Sequence, residues 1–185
     1  SGASNGAQSY NTASVSPAAN ALVLVSVDQR ATNGNVPAAM TLTGNGLTYV
    51  EITTRDFDGG QSRQHIFRAM GASPSAGAIN IGIAGSTNQS CTWIVDQTTG
   101  TDTSGTNGSG AIVQSVTNWT DSFNTILTVT LAALGDATNN AVYMATGNAE
   151  LSTATPGTGY TELADQSLAG YLTSVETQYK VPGTT

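Results

Sequence analysis

No apolar run in this chain exceeds the five residues 21–25, and the runs present are β-branched, alternate with polar residues and end in Gly, Asn, Ser or Pro. Side chains on a strand change face at every residue, whereas those on a helix return to one face after three or four. The pattern therefore predicts short antiparallel strands and no long helices. A run of five is also far below the ~20 apolar residues with which a helix crosses a bilayer.

Residues 21–28 (ALVLVSVD) are apolar on both faces and predict a central strand. Residues 48–54 follow a Gly44-Asn45-Gly46 turn, and strand alternation places Val50 and Ile52 on one face, with Tyr49, Glu51 and Thr53 on the other. Further strands are expected at 65–70, around Ile79, Ile81 and Ile83, and at 91–96, 112–117, 125–132, 140–146 and 171–179. Leu127, Val129 and Leu131 alternate as if toward a core, and 160–166 reads as a strand or one helical turn. Residues 97–110, rich in Thr, Gly, Ser and Asn, predict a long surface loop. The first fifteen residues read as a flexible lead-in or an edge strand, and 16–185 as a single domain. About ten strands in one chain predict two packed antiparallel sheets, an all-β sandwich of jelly-roll or related Greek-key type.

Only 9% of residues are charged, and twelve Asp and Glu against five Lys and Arg leave a net charge of −7 with no basic cluster. That balance argues against nucleic acid as a partner. The one cysteine, Cys91, has no intrachain partner and alternates with Trp93 and Val95, which predicts a buried thiol. A hydrolase would need a nucleophile beside a base, and the one histidine, His65, shares a strand face with Phe67 and Ala69. It is expected to be a hydrogen-bonded structural side chain, and no catalytic residue is assigned. Asp56-Phe57-Asp58-Gly59 begins like a hard-cation loop but lacks a third oxygen ligand and a closing Glu, so Asp56 and Asp58 are weak metal candidates against a plain turn. Asp96 and Asp102 frame a similar weak candidate, and no cofactor is expected. Trp93 is expected to be buried, whereas Trp119 lies in a polar stretch and is the candidate for stacking on a sugar ring. Glycosylation sequons start at Asn88, Asn107 and Asn118, all expected in loops or at strand ends.

Seven segments in order carry a resemblance: ALVLVSV (21–27), GNGLTY (44–49), HIFRAMG (65–71), TDTSGTNGSGAIVQS (101–115), LTVTLAA (127–133), GYTEL (159–163) and TQYK (177–180). Together the chain resembles a family of β-sandwich domains encoded by tailed bacteriophages and phage-like metagenomic sequences. The resemblance implies a non-enzymatic structural part of a virion, such as a capsid decoration, head-fibre or tail-associated protein. Its implied partners are copies of itself and other virion proteins, and its implied location is the virion surface. It implies no catalytic residues. Such domains continue past the QYK segment with a further apolar strand, where this sequence reads Val181-Pro182-Gly183-Thr184-Thr185. An open sheet edge there, paired between subunits, is the expectation that follows. The alternatives are a carbohydrate-binding or host-adhesion module, and a secreted bacterial surface or filament subunit located outside the cell.

Overall fold

The structure, a computed structural model, describes residues 1–120, 126–136, 139–150 and 154–181. The described residues are all-β: twelve strands form three antiparallel sheets, and the other regular elements are two short 3-10 turns. The first sheet has the order β1 (Gly2–Asn5), β9 (Asn88–Thr98), β3 (Leu22–Ala31), β7 (Ser62–Ala69), β6 (Val50–Phe57). The second has the order β2 (Ser9–Asn11), β8 (Asn80–Ile83), β4 (Met40–Gly44), β5 (Leu47–Thr48). The third consists of β10 (Val142–Asn148), β12 (Thr173–Lys180) and β11 (Thr161–Leu168), with β12 in the middle. Up to β9 the chain passes repeatedly between the first two sheets.

The alternation in β3 explains how the layers assemble. Val23, Val25 and Val27 point to one face, where they join Phe67, Cys91 and Trp93 of the same sheet. Tyr10, Met40, Leu42, Ile79, Ile81 and Ile83 of the second sheet and its approaches close the same cluster. Each fully buried aliphatic side chain contributes about 1.5–3 kcal/mol, so this cluster is the main cohesive element. The opposite face of β3 carries Leu22, Leu24, Ser26, Asp28 and Arg30, a gradient from apolar to charged. The two leucines form a small cluster with Met70, flanked by Ile52, Ile112 and Tyr143. Beyond them the third sheet covers a layer of hydroxyls.

Hydroxyl-bearing side chains let that third sheet come close. Cα atoms of β12 approach those of β9 and β3 within 8 Å, nearer than the ~10 Å usual between packed sheets. Ser90 and Thr173 hydroxyls meet at 2.5 Å across the layer. Ser26 donates to the Tyr143 hydroxyl, which donates to Asp96, both at 2.9 Å. Gly147 on β10 leaves the necessary space, because a Cβ there would lie 3.2 Å from Phe57 Cζ.

Most expected strands occur, often extended by a few residues, and 161–168 is a strand rather than a helical turn. The lead-in contains β1 and β2, each at a sheet edge. Other expectations need correction. A bulge between Glu51 and Thr53 moves Thr53 onto the Val50 face, opposite Ile66, and sets Thr54 opposite His65. Residues 112–117 and 126–132 form no strand, and Leu127, Val129 and Leu131 are only half-buried and belong to neither core cluster. Among the described residues their backbone pairs with no strand; position 125 of that expected strand lies outside the described residues. β12, the last described strand, is hydrogen-bonded on both sides and so is not an edge. Residues 182–185 lie outside the described residues.

Both faces of β12 are buried. Thr173, Val175 and Thr177 face the hydroxyl layer, and Ser174, Glu176 and Gln178 lie on the other side. Residues of the β10–β11 connection cover that side: the Gly157 amide donates to Gln178 Oε1 at 2.8 Å, and Ser174 Oγ donates to the Glu150 carbonyl at 3.1 Å. Burial, with like charge from its cross-strand neighbour Asp165 and from Glu162, pushes Glu176 up to about 7. Burial also holds Asp28 well above the usual carboxylate range, against the opposing pull of the Ser174 backbone amide and Arg30.

Two outcomes follow. Ile81→Ala, at a fully buried position, is expected to destabilise the fold by about 2–5 kcal/mol in urea unfolding with an unchanged m-value. A folded-state value above the unfolded one means that the native state keeps a proton that the unfolded chain releases. Stability is therefore expected to fall as pH rises from about 4.5 to about 7. The Glu176 share is at most about 3 kcal/mol, and Glu176→Gln removes it, flattening the measured slope.

Candidate functional site

The turn that joins β6 to β7 reads Asp58-Gly59-Gly60, with φ of 52°, 61° and 85°. Three successive left-handed residues are tolerable only where Gly or a short polar side chain stands. This turn sends the two carboxylates of the DFDG string apart. Asp58 accepts from Arg30 Nη1 at 2.5 Å, and Asp56 takes a two-pronged bond from Arg63, whose Nη2 lies 3.0 Å from Oδ2. The Arg63 guanidinium is the largest cause holding the Asp56 carboxyl below its ordinary value. As weak metal candidates, Asp56 and Asp58 are thus each engaged by a different arginine. Among the described residues no three His, Cys, Asp or Glu side chains are placed to hold a metal ion.

Beside that turn lies a cleft of about 430 Å³, lined by Arg55, Asp56, Phe57 and Arg63 of the β6–β7 hairpin, by Gly59 and Gly60, and by Trp119. Trp119 is 40% exposed, and the Arg55 guanidinium lies over its ring at 5.0 Å, a cation–π contact worth about 0.5–1 kcal/mol at an exposed site. Arg55 makes no ion pair among the described residues, and its Nε is buried without a hydrogen-bond partner. An indole face beside two guanidiniums and a carboxylate suits a polar ring bearing hydroxyls or an acidic group. The structure thus brings together two candidates, Asp56 and Trp119, that the sequence offered separately. Arg55 and Arg63 were missed, because nothing in a strand pattern marks which charged residues will face an arm sixty residues downstream.

That arm is the second feature of the surface. Ile112 packs beside Leu22 and Leu24, and from there residues 113–120 and 126–135 run in opposite directions. Side-chain amides tie the two limbs together. Gln114 donates to the Ala132 carbonyl and accepts from the Ala132 amide, both at 3.0 Å, and Asn118 donates to the Thr128 carbonyl at 2.7 Å. Val113, Val116 and Ile126 are 67%, 46% and 78% exposed. No charged residue occurs in 103–120 or 126–135.

His65 is buried, its Nδ1 lies 2.5 Å from Glu51 Oε1, and its ring stacks on Phe67. Among the described residues its Nε2 meets no hydrogen-bond partner. Asp96 and Asp102 do not converge: Asp96 accepts from Tyr143, and Asp102 accepts from the Ser104 amide at 2.7 Å. Trp93 is buried against Tyr10. Of the sequons, Asn88 is buried and donates to Ala7 and Tyr10, whereas Asn107 sits in a turn of the 98–112 loop and Asn118 is exposed on the arm.

Comparison of the chain with protein-family models, with curated proteins and with solved structures finds no match.

Cys91 is fully buried, and burial followed by the nearby Asp28 drives its thiol well above the ordinary value. A thiol reagent is expected to leave the native protein unlabelled at neutral pH and to label it fully in denaturant, as read by intact mass.

Proposed function

We propose that this protein is a non-enzymatic structural component of a viral particle, a bacteriophage capsid decoration, head-fibre or tail-associated element that acts by repeated symmetric contact. The observation that carries the reading is the arm: its limbs 113–120 and 126–135 carry no charged side chain and expose Val113, Val116 and Ile126, on a chain with a net charge of −7. Exposed apolar residues gathered on limbs without charged side chains mark contact surfaces more often than catalytic ones. The segments that resemble phage-encoded domains support the same reading.

The fold reading that accompanies it is a jelly-roll sandwich. The orders β1-β9-β3-β7-β6 and β2-β8-β4-β5, with one apolar cluster shared by the two sheets, support it, since without the edge strand β6 they match the order expected of two Greek keys folded face to face. On this reading the three-stranded sheet is an added outer layer. Immunogold electron microscopy of the native source material, with antibody against this chain, tests the role: regular labelling of particles supports it, and recovery only in the particle-free fraction overturns it.

The cleft favours a second reading, a glycan-binding or host-adhesion module, because Trp119 offers a partly exposed indole that stacks with Arg55 in a cleft also lined by Arg63. On this reading a glycan array gives binding to a defined sugar class, and Trp119→Ala weakens it about tenfold or more. An array without binders rejects it.

A further inference from the structure

We infer that residues 126–132 form a two-fold symmetric, antiparallel strand pair with the same residues of a second copy of this chain, centred on Val129. The inference rests on the assembly reading above and names the contact through which it works.

The segment Ile126-Leu127-Thr128-Val129-Thr130-Leu131-Ala132 is uncharged and rich in the β-branched residues that favour strands, yet among the described residues 126–135 make no backbone-to-backbone hydrogen bond. Backbone amides and carbonyls left open on a strand-forming edge are a template for another strand, and proteins that avoid such pairing place charge or proline there. This segment has neither.

The direction of the open edge follows from the bonds already made. Along a strand the backbone groups of alternate residues point to opposite edges. Thr128 and Ala132 direct theirs to the Asn118 and Gln114 amides of the first limb. Paired as a strand, the segment then directs those of Leu127, Val129 and Leu131 outward.

The segment is complementary to itself. An antiparallel partner centred on Val129 sets Val129 opposite Val129, Leu127 opposite Leu131 and Thr128 opposite Thr130. Aliphatic residues meet aliphatic residues on one face and threonines meet threonines on the other, which are favourable cross-strand pairs. Such a contact is isologous and closes as a dimer. The paired residues 126–132 themselves carry no charge, so the contact sets no like charges directly opposite one another.

Val129→Cys tests the register, because a directly opposed hydrogen-bonded pair has Cα atoms about 5.5 Å apart, within disulfide range. The native Cys91 is buried and does not compete. Mild oxidation of Val129→Cys is expected to give a covalent dimer in high yield, whereas Ile126→Cys, which faces Ala132 of the partner, gives several-fold less. In sedimentation equilibrium at high micromolar concentration the wild type is expected to be dimeric, and Val129→Lys monomeric with an unchanged circular dichroism spectrum. A monomeric wild type, or cross-linking no greater at 129 than at 126, overturns the inference. Neither result bears on particle labelling by antibody, so the two readings fail separately.

Discussion

The structure depends on one strand that has two incompatible faces. On β3 the valines bury fully against the second sheet, while the residues between them grade from leucine through serine to a buried aspartate and a paired arginine. Alternation of this kind fixes register, because a slip by one residue would carry Asp28 into the apolar cluster and a valine into the hydroxyl layer. Everything outward of the five-stranded sheet follows from it. The third sheet approaches closely because the face it meets carries hydroxyls; burial beneath it pushes the Asp28 carboxyl well above its ordinary value, and burial on the far side of β12, under the β10–β11 connection, pushes Glu176 up to about 7.

Much of the strand content was legible because period-two alternation is a local signal. β3, β7, β8, β9, β10 and β12 lie where runs such as ALVLVSVD and the Ile79, Ile81, Ile83 ladder place them. What failed was non-local. Leu127, Val129 and Leu131 alternate as cleanly as any core strand, but alternation states a preference and cannot supply the neighbour whose backbone completes a ladder. The bulge at Ile52 was invisible for a related reason, since an inserted residue leaves no mark in a run of otherwise suitable side chains.

The site was legible in fragments. Trp119 and Asp56 stood out singly, one as an aromatic in a polar stretch and the other as part of a DFDG string, and both line the same cleft. What joins them is the path of the arm beside β6 and the choice of partner by each arginine, which are properties of the folded chain. Asp58 illustrates the limit: the string that suggested a cation loop is a left-handed turn whose second carboxylate holds Arg30 of a different strand.

The pairing of β1 with β9 carries a kinetic consequence. Gly2 to Asn5 find their partners at Trp93 to Ser90, and β2 finds its partner in β8, so the opening residues cannot be secured until about half the chain is available. Closing such long loops before any contact rewards them makes folding slow, and the same interlocking makes release slow, since an edge strand held late in folding raises the barrier to leaving. Contacts of this edge strand, formed late, act on the rate of unfolding more than on the rate of folding.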